Sequence, residues 1–434
     1  MTPRVRGWRP LEGALLAVAA IVALAAAAAP ALVRDGRVAP SALGAAAAVL
    51  AAYAALHVAL CWRAPDADPF IVPIMALFGG LSLALVRRLA PDFAAAELRW
   101  QLLAVAAVAV VALGPIETRV LQRYRYSLAS AGIALVGVTL LFGRSAEGAV
   151  ADAPRLWLGV GSLGFQPSEV MKLVLIVFLA GYIDDRRELL SEAGPRIGRW
   201  RLPPVPYLAP LAVMLGLSLL MLVVQRDLGA ALLLFAITLG MLYLATLRAD
   251  VVAVALAAFA GGAVYLHGHA EIVATRAAIW LDPWSASQDA GYQLVQGLVA
   301  IASGGIVGTG IGRGQPGIVP AVHTDYIYAA VAEELGVAGA AAVLAVYGVL
   351  AWRGFRIALG ARRSFDALLA AGLTIGLAFQ EAIIVGGNLR LMPLTGITLP
   401  FLSYGGSSLL ICAVSAGLLL RISRPSSVPE GGLA

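Results

Sequence analysis

Twelve apolar runs, most of them about twenty residues long, divide this chain, and no other feature limits its fold as strongly. They lie near residues 12–33, 41–61, 69–86, 100–115, 127–143, 168–183, 205–224, 228–247, 250–267, 326–351, 366–386 and 400–420. A run of that length matches the hydrocarbon thickness of a bilayer, where a bare N–H or C=O finds no water to bond. Each run is therefore expected to be a helix, and the chain a single all-α polytopic membrane domain of about twelve spans. Composition agrees: 61% of the 434 residues are hydrophobic and only 13% are charged. A soluble domain carries about twice that charged share, so soluble globular classes are excluded. The formal charge of +6 is no nucleic-acid signal, because the arginines sit in short loops between apolar runs. Cys61 and Cys412 fall inside such runs, far apart, and imply no disulfide. Arg4, Arg6 and Arg9 precede the first run without a clear cleavage site, so it reads as a span rather than a leader.

The positive-inside rule puts the N-terminus in the cytoplasm. Inner loops then carry Arg119, Arg123 and Arg125, the cluster from Arg186 to Arg201, and Arg353, Arg356, Arg362 and Arg363. Arg87, Arg88 and Arg99 fall on the other side. Both termini become cytoplasmic, the second in a Ser/Pro-rich tail, 425–434. Three loops become external: 144–167, the long segment 268–325 between the ninth and tenth spans, and 387–399. The polar residues of the chain gather in those three.

Asp325 closes the longest of them, at the mouth of the tenth span. An ionisable group at a membrane boundary is costly to hold and reads as functional by default, although a plain helix N-cap would also suit it. His323 stands beside it. In the first external loop, Arg155 and Trp157 lead to Pro167, which suits the first turn of a helix, and to Glu169 and Lys172 on one face of it. Lys172 is the sole lysine. The pair either neutralises itself inside the bundle or aims a cation at an anionic lipid headgroup. Asp227, in a turn with almost no loop, is expected to cap the helix that follows. The long loop also carries Arg276, a Leu-Asp-Pro-Trp turn at 281–284, and residues 291–302, which include Gln296 and read as an amphipathic helix that re-enters or lies on the outer surface. Next comes a glycine-rich run, 303–314, whose N–H groups could meet a diphosphate, although its spacing matches no phosphate-loop pattern. Glu333 and Glu334, two turns into the tenth span, need a partner such as Lys172 or an arginine. His267 and His269 lack a third metal ligand and read as exposed, and His57 as a packing residue.

Five stretches, in order, resemble the SEDS family (shape, elongation, division and sporulation; the FtsW/RodA/SpoVE proteins). They are Phe165-Gln-Pro-Ser-Glu-Val-Met-Lys172, Gln225-Arg-Asp-Leu-Gly229, Leu281-Asp-Pro-Trp284 with Gly291-Tyr-Gln-Leu-Val-Gln296, His323-Thr-Asp-Tyr-Ile-Tyr328 with Ala332-Glu-Glu-Leu-Gly336, and the long run from Leu391 to Ser408, which contains Ser403-Tyr-Gly-Gly-Ser-Ser408. Departures are Arg226 where the family usually has Pro, Ala321 where Glu is common, and Ile384 where an Asn is usual, with Asn388 one turn later. Two spans also precede the usual ten, so residues 1–100 hold the N-terminal spans and 100–424 the family-like catalytic core.

The resemblance implies a peptidoglycan glycosyltransferase of the bacterial cytoplasmic membrane that polymerises lipid II with inversion, growing a glycan on undecaprenyl diphosphate. It places the essential acid on Asp325, as general base or as ligand of a divalent ion (Mg2+ or Mn2+), and the conserved pair on Glu169 and Lys172. Arg155, Trp157, Arg276 and His323 are expected to line the substrate site, with Gln296, Ser403 and Tyr404. The implied partner is a class B penicillin-binding protein, whose membrane helix would pack on the late spans. The chief rival is a lipid II flippase, which should carry polar groups through the whole depth of its bundle.

Overall fold

The computed structural model describes residues 9–115, 117–145, 155–160, 163–191, 196–197, 200–201 and 205–424. The tail 425–434, Arg4 and Arg6 lie outside the described residues. In chain order the helices are α1 (Pro10–Asp35), α2 (Pro40–Arg63), α3 (Ile71–Leu89), α4 (Ala94–Leu113), α5 (Thr118–Arg123), α6 (Arg125–Phe142), α7 (Pro167–Ser191) and α8 (Val205–Val224). Then come α9 (Leu228–Thr246), α10 (Ala249–His269), α11 (Glu271–Leu281), α12 (Tyr292–Gly304), α13 (Ile327–Gly360), α14 (Ser364–Asn388) and α15 (Gly406–Ile422). A short antiparallel hairpin, β1 (Leu158–Val160) with β2 (Leu163–Phe165), pairs Leu158 with Phe165 and leads into α7.

The protein is an all-α polytopic membrane protein. Every apolar run falls on a helix apart from residues 400–405 of the last, and nine helices among the described residues are long and apolar enough to cross a membrane. α7, α14 and α15 form the centre: Leu175, Ile176, Phe178, Leu369, Leu373, Cys412 and Ala413 are all essentially inaccessible. α4 lies along α15, α13 along α14, and α1 along α3. α10 buries little beyond Val251, and its apolar circumference faces outward, as lipid contact requires.

Two boundaries depart from the sequence reading. The last apolar run continues backward past α15, yet residues 395–405 are not helical. Pro400 cannot donate, and Gly405 opens α15 from an extended conformation, so Ile397, Leu399, Phe401 and Leu402 enter the interior as irregular backbone. Such backbone survives at membrane depth only inside protein. α13 also kinks at Gly336, whose φ of 67° and ψ of −172° only glycine adopts readily. The glycine-rich run wraps that kink. Thr309 and Gly310 donate backbone N–H to the carbonyls of Glu333 and Glu334, Gly312 donates to Glu334 Oε1 at 3.2 Å, and Gln315 donates to Glu333 Oε1 at 2.6 Å. Glu334 pairs with Arg88, which also donates to the Gly314 carbonyl at 2.9 Å. The required partner of these glutamates is therefore an arginine and the loop itself. The donors expected to meet a diphosphate are spent on this chain.

Candidate active site

One end of the bundle collects the N-termini of α7, α9 and α13, the C-terminus of α14 and the irregular 391–405 segment. Asp325 sits there, half-buried, just before α13. It is not a cap: the capping position belongs to Tyr326, and no side chain caps this helix. Its backbone is clamped from two sides. Asn388 Nδ2 donates to the Asp325 carbonyl at 2.8 Å, and Ser403 Oγ donates to the Thr324 carbonyl at 2.6 Å. Tyr404 N–H donates to the His323 carbonyl at 2.9 Å. The Phe93 ring stacks on His323 with centroids 5.2 Å apart, and Tyr404 tilts against both rings. Ser403 and Tyr404 therefore position the segment that carries the acid.

Loss of hydration raises the Asp325 carboxyl from 3.8 to about 6, against the pull of the Thr324 hydroxyl and the Arg276 charge. Burial also lowers His323, keeping its ring neutral at pH 7. Arg276 is the cation of this corner. Burial lowers it, while Asp227 and Asp325 act to hold its charge, and a guanidinium stays protonated under such pulls. It rides on α11, which is fastened to the end of α14 by reciprocal bonds: Trp280 Nε1 donates to the Arg390 carbonyl at 3.1 Å, and Arg390 Nε donates to the Trp280 carbonyl at 2.8 Å.

Beside Asp325 a small cavity, about 30 Å3, is walled by Gln166, Ser168, Glu169, Lys172, Asp227 and the 396–398 backbone. Gly396 joins the two places. It lines the cavity, and a Cβ placed on it would stand 3.7 Å from Asp325 Oδ2; its φ of 72° also calls for glycine. Lys172 Nζ donates to Glu169 Oε2 at 2.7 Å and to Gln380 Oε1 at 2.6 Å, while Gln380 Nε2 donates to the Thr398 carbonyl at 2.8 Å. Asp227 does cap α9, accepting from Ala230 N–H at 3.1 Å, but its second oxygen accepts from Ser168 at 3.1 Å and Gln166 at 3.3 Å within the cavity. Burial raises its carboxyl.

The structure thus brings Glu169, Lys172, Arg276, His323, Asp325, Ser403 and Tyr404 into one neighbourhood. Arg155 is exposed ahead of β1, and Trp157 bridges to Arg144 and lies over Gly164; neither lines the cavity. Gln296 is half-buried on α12, away from the cavity wall. Sequence reasoning missed Gln380 and the Trp280–Arg390 clamp. A lone glutamine inside an apolar helix was the available signal for the first, and nothing local marks the second. Among the described residues no group of three or more His, Cys, Asp or Glu could hold a metal ion, so there is no all-protein cage. One carboxylate plus substrate diphosphate is nonetheless the way Mg2+ is commonly held, and Asp325 fits that donor set.

Fold and site define a multi-pass membrane protein with an acid, an arginine and a lysine–glutamate pair gathered at one mouth of its bundle. The family model of cell cycle proteins named for FtsW, RodA and SpoVE matches residues 73–428, beginning beyond α1 and α2. The chain is 39% identical over 392 residues to the peptidoglycan glycosyltransferase RodA of Mycobacterium tuberculosis, covering 88% of this chain and 83% of that one. It is 38% identical over 282 residues to stage V sporulation protein E of Bacillus subtilis, covering 64% and 74%. A solved peptidoglycan synthase complex, described as coordinating polymerization and crosslinking, contains a chain that matches with a TM-score of 0.65 and 29% identity, over 82% of this chain and 97% of that chain. The rod shape determining protein RodA of Thermus thermophilus matches with a TM-score of 0.58 and 28% identity, over 83% and 97%. The chain belongs to the SEDS family of FtsW, RodA and SpoVE proteins.

Proposed function

We propose that this protein is a peptidoglycan glycosyltransferase that polymerises lipid II at the outer face of the bacterial cytoplasmic membrane, with both termini in the cytoplasm. The observation that carries the reading is Asp325, a carboxyl raised to about 6, set near Arg276 and next to the Lys172–Glu169 cavity. The peptidoglycan glycosyltransferases among its relatives support the activity, and the synthase complex supports a crosslinking partner, here a class B penicillin-binding protein.

Lipid II presents a sugar on a diphosphate whose polyprenyl chain stays in the bilayer. Asp325, basic enough near neutral pH, takes the proton of the acceptor hydroxyl as that oxygen bonds to the anomeric carbon of the donor strand. The bond from that carbon to the diphosphate breaks, and the undecaprenyl diphosphate leaves with its charge met by Arg276 and Lys172. A single displacement of this kind inverts the anomeric centre. Glu169 and Gln380 hold the Lys172 ammonium in place. A divalent cation, Mg2+ or Mn2+, would be held by Asp325 and the diphosphate and would neutralise charge there. Both substrates arrive tethered to the membrane, so the protein gains most by orienting them.

Purified protein, co-expressed with a class B penicillin-binding protein and given lipid II, is expected to yield a ladder of glycan strands on gels, with products lost on chelation. Movement of labelled lipid II across vesicles, with no polymer formed in the presence of the partner, would replace this reading with a flippase.

A further inference from the structure

A cavity much roomier than the one beside Asp325 lies at the opposite end of the bundle. α13 separates them: from Gly336 to Gly360 it spans roughly 36 Å at 1.5 Å per residue. The cavity measures about 450 Å3, within the range that takes a small-molecule ligand. Its walls come from the α2–α3 turn at 66–69, the end of α13, the start of α14 and the end of α15. Five arginines line it (Arg353, Arg356, Arg362, Arg363 and Arg424) against three aspartates, Asp66, Asp68 and Asp366, a surplus of two positive charges.

These charges are unequally engaged. Arg353 Nε donates to Asp68 Oδ2 at 2.7 Å and its guanidinium lies over the Phe70 ring, while Arg363 bonds Gln122 at 2.6 Å and pairs with Asp366 at 3.6 Å. The α2–α3 turn itself is fixed by Arg9, which donates to the carbonyls of Ala64, Ala67 and Asp68. These contacts make a built frame. Within it, Arg356 has no carboxylate partner among the described residues and only overlies Trp352. Two guanidinium nitrogens of Arg424, Nε and Nη2, are buried with no hydrogen-bond partner. Burying donors of a charged group without an acceptor is costly. Asp366 Oδ1 is also buried and unpartnered, so the same cavity offers one spare acceptor.

We propose that this arginine-lined cavity is a binding site for a phosphate ester carrying a free hydroxyl, held by Arg356 and Arg424 with its hydroxyl toward Asp366. Guanidinium forks match phosphate oxygens, and basic pockets between membrane helices at the cytoplasmic face suit anionic headgroups. Under the orientation proposed above this is the cytoplasmic face, distinct from the place where glycan is made. A glycerol-phosphate headgroup in the bilayer and a soluble phosphate ester share this chemistry.

The test uses the full chain in nanodiscs. With phosphatidylglycerol and phosphatidylcholine present in equal amounts, native mass spectrometry after release counts the lipid retained; glycerol 1-phosphate is titrated by calorimetry into nanodiscs of phosphatidylcholine alone. Wild-type protein is expected to retain phosphatidylglycerol selectively or to bind glycerol 1-phosphate, the first result naming a lipid source and the second a soluble one. The double variant Arg356→Gln/Arg424→Gln should weaken whichever is seen by at least about tenfold. Arg37→Gln, on an exposed arginine elsewhere, should change nothing. Should the double variant prove unstable, Arg356→Gln alone, at an exposed rim position, carries the same expectation. Failure of wild-type protein to bind either probe, or equal binding by wild type and the arginine variants, overturns the proposal.

Discussion

Asp325 owes its raised carboxyl to burial, and its nearness to Arg276 to a contact between distant segments. Asp325 stood out because an ionisable residue closes a long loop at a span. That Arg276, nearly fifty residues earlier, faces the same corner depends on the Trp280–Arg390 clamp, a contact between distant segments that no local pattern encodes. The raised value of Asp325 has a direct kinetic consequence. A general base works as the carboxylate, so the polymerisation rate should climb as pH rises through about 6 and level off above it, whereas an unperturbed aspartate at 3.8 would give a flat profile from mildly acidic pH upward. Initial rates across that range with saturating lipid II check this. Lys172 poses a different question, because its bonds to Glu169 and Gln380 would serve a purely structural pair equally well. Removing one partner of a buried pair costs roughly 3–5 kcal/mol, so Lys172→Met alone should lower thermal stability sharply. The double variant Glu169→Gln/Lys172→Met should recover most of that stability while polymerisation stays down by about a hundredfold or more. Recovery of both would mark the pair as scaffold only.

Among the elements, the spans were readable and the irregular stretches were not, for one physical reason. Burial in lipid or in a helix bundle selects the same apolar residues, so Phe401 and Leu402 read as part of a span, and Ile397 and Leu399 as external loop, although all four enter the interior as irregular backbone. Pro400 and the glycine pair at 405–406 were the visible signs. The glycine-rich loop misled in the opposite direction. Its N–H groups looked free for a ligand, and they instead close around the kink in α13. That makes Gly336 a structural hinge pin: a Cβ there would collide with the Ile306 carbonyl and Gly308 N–H, and its φ is positive. Gly336→Ala should cost roughly 1–3 kcal/mol from backbone strain alone, plus the broken loop contacts. The detergent-solubilised variant is expected to show a lower melting temperature, with faster backbone amide exchange in the loop at 306–312 and in α13 beside the kink.

For the whole molecule, the division of labour follows from which groups each end leaves unsatisfied. The mouth with Asp325 gathers a raised carboxyl, the half-buried Arg276 and the Lys172 cavity, while the far end holds an arginine-lined hollow; the middle is closed by the apolar packing of α7, α14 and α15. A path for moving a headgroup through the bundle would need polar lining along its depth, and this layout favours chemistry at one mouth instead. α1 and α2 precede the family-matched region; Glu12 on α1 joins Arg9 and His57, tying the two helices together, and both pack on α3, so they are part of the bundle rather than appended to it. The polymerisation rate of Asp325→Asn, folded and bound to its crosslinking partner, with lipid II at pH 7.5, decides whether Asp325 is the base. Loss of the base should slow polymerisation by about 100-fold to 10,000-fold with lipid II binding retained; a rate equal to wild type would remove Asp325 from the chemistry.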